Sequence, residues 1–210
     1  MTALHKRLLF SVSVVFIWSA INPKEYFTWL LEVAPVILAF AVLAFTYRRF
    51  PLTDLTYTLI AIHAVILCVG GHYTYAEVPL FDWIRDAFDQ SRNNYDKVGH
   101  FAQGFVPAIV AREIFLRRNV VPYRRWLNFL TVCVCLAFSA VYEFIEWFVA
   151  VGTGEAAESF LGTQGYAWDT QSDMLYATIG AIVALTVLSK YHDAHLRRMG
   201  ALHAPQTIVK

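Results

Sequence analysis

Apolar residues fall in long blocks along this chain, broken by short polar stretches. The blocks run near 8–22, 26–46, 55–73, 96–116, 126–150 and 172–189. A helix needs about 20 mainly apolar residues to cross a bilayer. The pattern predicts an all-α, polytopic membrane helix bundle of about six transmembrane helices. Residues 1–210 are read as a single integral membrane domain, because no repeat or low-complexity segment interrupts the blocks. Between the third and fourth blocks, Phe81 to Phe88 alternates Trp, Ile and Phe with Asp and Arg. That alternation predicts a short amphipathic helix lying on the membrane surface. The first block is short and follows Lys6-Arg7, as a signal peptide would. No convincing small-x-small cleavage site follows it, so an uncleaved anchor is expected.

Composition sharpens this reading. Hydrophobic residues make up 58% of the chain, charged residues 16%, and the mean hydropathy is +0.47. Soluble domains carry about 25% charged residues. The net charge of +1 implies no nucleic-acid surface. Cys68, Cys133 and Cys135 lie inside apolar blocks and form neither a disulfide framework nor a CxxC motif. Basic residues set an orientation, because Lys and Arg accumulate in short cytoplasmic loops. They occur at Lys6-Arg7, Arg48-Arg49, Arg117-Arg118 with Arg124-Arg125, and Lys190, Arg197, Arg198 and Lys210. The loop after the fifth block instead carries Glu155, Glu158 and Asp169. The alternation predicts both termini in the cytoplasm.

On that topology the buried polar groups share one depth. His72 ends the third span, and Asp96 and His100 begin the fourth, all at the outer face. Glu143 and Glu146 lie in the last turns of the fifth, and Asp169 and Asp173 begin the sixth. The i,i+3 and i,i+4 spacings put each pair on one helix face. Four carboxylates beside one or two histidines need protons, a cation such as Lys97 or Arg92, or a metal. Facing helices of metal-binding bundles supply a similar ligand set. Oxygen ligands with one or two imidazoles suit zinc, manganese or iron. His72, His100, Glu143, Asp169 and Asp173 are the candidate metal ligands. Asp96 and Glu146 are the candidate catalytic groups, orienting a histidine or acting as general base for a metal-activated water. Plainer roles also fit: Asp96 and Asp169 suit helix N-termini, and Asp173 suits a cap. His63 is read as a packing or hydrogen-bonding residue, and Glu113 as a snorkelling or ion-paired group near the inner interface. The inner halves otherwise offer only Glu32, His63 and Glu113 as polar groups.

Four segments carry a family resemblance: Gly71-His72-Tyr73-Thr74-Tyr75, Asn93 to Phe101, Glu143-Phe144-Ile145-Glu146-Trp147, and Trp168 to Met174. The chain resembles the YjdF-like bacterial inner-membrane family, a domain of unknown function, from about Pro23 to the sixth span. More distantly, Asp-Lys-x-x-His-Phe with a later glutamate and Asp-x-x-x-Asp resembles VanZ-like proteins. Those are associated with resistance to a glycopeptide antibiotic. Their pattern often has Gln where this chain has Glu146. The YjdF-like resemblance implies placement in the bacterial inner membrane and these motif positions, and supplies no reaction.

Three functions follow as expectations. One is a metal-dependent hydrolase or transferase acting on a lipid or cell-envelope precursor at the outer leaflet. The other is a non-enzymatic transporter or lipid- or ion-binding membrane protein. A structural partner whose polar cluster only joins helices is a third. No Ser-His-Asp spacing, Gly-rich phosphate loop or HExxH motif narrows the chemistry.

Overall fold

The computed structural model describes residues 1–121, 123–153 and 163–201. Glu155 and Glu158 of the expected acidic loop, and Lys210 of the tail, lie outside these residues. Among the described residues the regular elements are seven helices. They are α1 (Ala3–Ser19), α2 (Tyr26–Thr46), α3 (Asp54–His72), α4 (Pro79–Ala87), α5 (Tyr95–Arg117), α6 (Arg124–Thr153) and α7 (Asp169–Arg198). The fold is a helical membrane bundle, as the apolar blocks predict. α2, α3, α6 and α7 are long and apolar enough to cross a membrane. α1 is shorter, at 17 residues. α5 has the length, at 23 residues, but carries Asp96, Lys97, Arg112 and Glu113.

α5 can carry those charges because it is the central helix. It packs on α3, α6 and α7, most extensively on α7. Twelve of its residues are buried, and Asp96, Lys97, Arg112 and Glu113 are among them. The α5–α7 contact is close because small residues meet there. Ala102, Gly104 and Ala108 of α5 and Ala177, Gly180, Ala181 and Ala184 of α7 are all buried. A Cβ on Gly104 would collide with the carbonyl of Ala177, and one on Gly180 with the carbonyl of Phe101. Small residues let helix backbones approach where lipid offers no hydrophobic drive to pack.

α1, α2 and α3 form a second layer around Val33, Val36, Ala64 and Cys68. Thr2 and Thr53 cap α1 and α3, accepting from the backbone N–H groups of His5 and Thr56. α4 lies outside the bundle, with Leu80 and Trp83 exposed and Pro at its first turn. It begins two residues before the expected amphipathic segment and ends one residue before Phe88.

Two boundaries differ from the sequence reading in an informative way. α1 stops at Ser19, and the chain turns at Asn22, whose φ is +49°. α7 continues past 189 to Arg198, and this extension buries His192 and Leu196. The segment looks like a polar tail because hydropathy averages over a helix that is apolar on one face only.

Candidate functional site

At one end of the bundle, the starts of α2, α5 and α7 meet the last turns of α6. α5 brings Asp96, Lys97, His100 and Gln103 in its first turns. α7 brings Asp169 and Asp173, α6 brings Tyr142, Glu143 and Glu146, and α2 brings Glu32. Asp96, Lys97, His100, Glu143, Glu146, Asp169, Asp173 and Glu32 are all buried.

The aspartates form an ion network. Lys97 Nζ donates to Asp173 Oδ1 at 2.5 Å, Asp169 Oδ1 at 2.7 Å and Asp96 Oδ2 at 3.3 Å. Arg92, in the loop before α5, donates to Asp169 Oδ1 at 2.6 Å and to Asp96 Oδ2 at 3.4 Å. The Tyr166 ring lies 5.7 Å from both cationic groups. Two cations thus hold three buried aspartates, and the geometry suits Asp169 to an ion-pairing role. Charges withdrawn from water are tolerable only with such partners.

His100 stands between this network and the glutamates. Its Nε2 is 3.1 Å from Asp96 Oδ1 and 3.8 Å from Asp173 Oδ1. Its Nδ1 is 2.9 Å from Gln103 Oε1 and 3.9 Å from Glu143 Oε1. With the Gln103 amide oxygen accepting from Nδ1–H, Nε2 points at two carboxyl oxygens. A bare ring lone pair cannot bond to those acceptors. A proton or a cation therefore belongs between Nε2 and Asp96. Asp96, His100 and Asp173 each offer a ligand atom, all within 4.8 Å of one another. Two ligands about 2.0–2.2 Å from one ion stand roughly 3–3.5 Å apart at right or tetrahedral angles. The Asp96–His100 distance meets this range, and the His100–Asp173 distance is slightly wide.

Among the described residues, no Lys or Arg pairs with Glu143 or Glu146. Glu143 Oε1 is buried without a hydrogen-bond partner. Glu146 lies within electrostatic reach of Glu143, His100, Glu32 and Asp96. Glu32 accepts from Tyr142 Oη at 3.2 Å and has Asp96 and His100 as charged neighbours. Glu32 is therefore part of this cluster and not an inner-half group. It lies six residues into α2, about 9 Å along the helix.

His72 does not join the cluster. Its Nδ1–H donates to the Ser19 carbonyl at 3.1 Å. Its ring packs 4.4 Å from Trp18 and 4.6 Å from Tyr73. His72 is the last residue of α3 and faces α1, whereas the carboxyl groups lie toward α5. His72 thus points to a different neighbour from the cluster residues. His63, expected to pack or to hydrogen bond, has a buried Nε2 with no partner.

A second polar cluster occupies the opposite end. Glu113 is fully buried. It accepts from Thr53 N at 3.0 Å, Thr53 Oγ1 at 3.0 Å, Thr56 Oγ1 at 2.7 Å and Arg117 Nη1 at 2.8 Å. His192, also fully buried, lies with Nε2 3.1 Å from Glu113 and Nδ1 3.0 Å from Arg112. Arg112 can only donate, so Nδ1 accepts and Nε2–H donates to Glu113. Arg112 also holds Asp193 at 2.7 Å. Glu113 is thus ion-paired, one of the two roles expected of it, and it joins α3, α5 and α7 instead of snorkelling.

These features define a helical membrane protein with a buried acid and histidine cluster at one end. The family described as "Predicted membrane protein (DUF2238)" matches residues 4–194, and the chain belongs to that family. The chain is 50% identical over 192 residues to "Inner membrane protein YjdF" of Escherichia coli (strain K12), covering 91% of this chain and 92% of that protein. No solved structure matches.

Proposed function

We propose that this protein is an inner-membrane, metal-dependent hydrolase or transferase acting on a lipid or lipid-linked envelope precursor at the outer leaflet. The carrying observation is the convergence of Asp96, His100 and Asp173 from two helices, beside Glu143 and Glu146 without cations of their own. In this reading six helices cross the membrane, α1 to α3 and α5 to α7, with both termini in the cytoplasm. The inner-membrane assignment leans on the Escherichia coli relative. Asp96, His100 and Asp173 would hold a divalent zinc, manganese or iron ion, with Glu143 next in reach. Such an ion polarises a phosphoryl or carbonyl oxygen and activates water. Glu146 is the group best placed to take a proton, because no ion pair among the described residues occupies it. Asp169 is assigned to positioning Lys97 and Arg92.

One observation favours a second reading. Lys97 already touches all three aspartates, and Arg92 adds a second cation. A non-enzymatic protein that binds protons, ions or lipid could use the same cluster with no metal. The two readings separate in proteoliposomes supplied with zinc, manganese or iron. The first expects head-group loss or transfer by mass spectrometry of the lipids, abolished by chelator and by Asp173→Asn. Unchanged lipids under every metal, with wild-type protein folded, favour the second.

A further inference from the structure

Glu32 of α2 lies within electrostatic reach of Glu146 of α6, and these two helices share little close backbone contact. α2 packs on α3, whereas α6 packs on α5 and α7. Neither buried hydrophobic cluster of these layers spans α2 and α6. Among the described residues, the side-chain hydrogen bond that crosses this seam is Tyr142 Oη to Glu32 Oε2, at 3.2 Å. One turn from Tyr142, Phe138 is 62% exposed, and Val141 and Ile145 are exposed beside it.

The end of the cluster beside Arg92 and Asn93 is fastened instead. Asn93 N–H donates to Gln164 Oε1 at 3.0 Å, and Gln164 Nε2 donates back to the Asn93 carbonyl at 2.9 Å. Asn93 Nδ2 donates to the Val78 carbonyl and to Asp82. Arg92 reaches the Thr163 carbonyl at 3.2 Å. Asn93 is fully buried under these contacts. On the proposed topology the weakly joined side of the cluster faces lipid.

Charge and unpaired atoms describe what that side would accept. Glu32 and Glu146 lie within electrostatic reach of each other and of His100, and Glu143 Oε1 stands 3.9 Å from His100 Nδ1. Ser139, fully buried one turn from Glu143 on the same face of α6, has no hydrogen-bond partner for its Oγ. Glu143 Oε1 is likewise unpaired. Buried polar atoms are costly when left unpaired, and such atoms mark places for a water or a ligand. A primary ammonium offers three donors and a positive charge to these acceptors.

We infer that the site takes an amphiphile whose head ends in a primary ammonium, admitted sideways through the α2–α6 seam with its tails left in the bilayer. Tyr142 and Glu32 form the latch, and Glu143, Glu146 and Ser139 receive the ammonium. The inference deepens the lipid-site reading but does not depend on the metal.

The test is a binding titration of the full chain in detergent, followed by native mass spectrometry. The probes are phosphatidylethanolamine, phosphatidylglycerol with the same tails, and tail-free glycerophosphoethanolamine. The wild type should prefer phosphatidylethanolamine by about tenfold, the weight of one charge-assisted hydrogen bond. Glu146→Gln and Glu143→Gln should abolish the preference, and Ser139→Ala should weaken it with no change of charge. The tail-free head should not compete. Equal binding of both lipids, or tail-free binding as tight as the lipid's, overturns the inference. So does a preference that survives all three substitutions. Metal content of the same samples separates the two claims: a wild type without metal that keeps its preference counts against the metal enzyme and leaves this inference standing.

Discussion

At the residue scale, the chain sorts its buried charges into two clusters with opposite accounting. Around Glu113, donors from Thr53, Thr56, Arg117 and His192 meet both carboxylate oxygens. Around Glu143 and Glu146, acceptors outnumber donors. The first pattern is that of a structural clamp, and the second is that of a place for something else. Glu113→Gln puts an amide NH2 among donors and removes the charge facing Arg117. It should cost about 3–5 kcal/mol, the usual loss when one partner of a buried pair is removed. A thermal melt should show a large fall in Tm, and a shift of a degree or less would refute the clamp. Some of this sorting was legible. Glu143 and Glu146 interrupt an apolar run, and Asp96 and His100 share a face, so their convergence could be read from spacing. His72 could not be placed that way, because depth along a span says nothing of which neighbour a terminal residue faces. Glu32 shows the reverse case. Its position near the start of α2 was available, but an isolated acid gives no partner to point at.

At the element scale, α5 is the helix a hydropathy argument describes worst. Its charges would forbid a lone span, and they are tolerated because three other helices surround it. The close α5–α7 contact rests on Gly104 and Gly180, neither of which stands out in the sequence. A methyl group at Gly104 meets backbone carbonyl, which cannot rotate away, so the helices must separate. Gly104→Ala should therefore cost about 1–3 kcal/mol, as overpacking does. It should also loosen Lys97 from Asp173, since the two helices carry them. A methyl group on Gly152, in α6, would meet nothing within 4 Å. Gly152→Ala should be neutral or stabilising by up to about 1 kcal/mol, from helix propensity alone. Comparable losses of Tm in both variants would show that backbone proximity is not what Gly104 provides. The extension of α7 to Arg198 had a readable signal as well. His192 and Leu196 continue the buried face of Ala177, Ala181 and Leu185 at helical spacing, although the charges between them lower the average hydropathy.

At the scale of the whole molecule, the alternation of basic loops and the position of the two clusters make one orientation. The proposed orientation puts the aspartate and glutamate cluster at the outer face and the Glu113 clamp at the cytoplasmic face. Reporter fusions after Tyr47, Val120 and Gly200 should give cytoplasmic signals, and one at Gly165 an external signal. A cytoplasmic signal at Gly165 would invert the orientation and remove the outer leaflet from the proposed function. The central claim, that the cluster is built around a divalent cation, has a more direct test. Metal content and melting temperature are measured on purified wild type, His100→Ala and Asp173→Asn, with and without chelator. A ligand bound only by the folded state raises Tm by mass action. The account predicts stoichiometric metal in the wild type, a lower Tm after chelation, and loss of both the metal and the chelator effect in the two variants. A wild type with no stoichiometric metal, whose Tm is moved by neither added metal nor chelator, would contradict it.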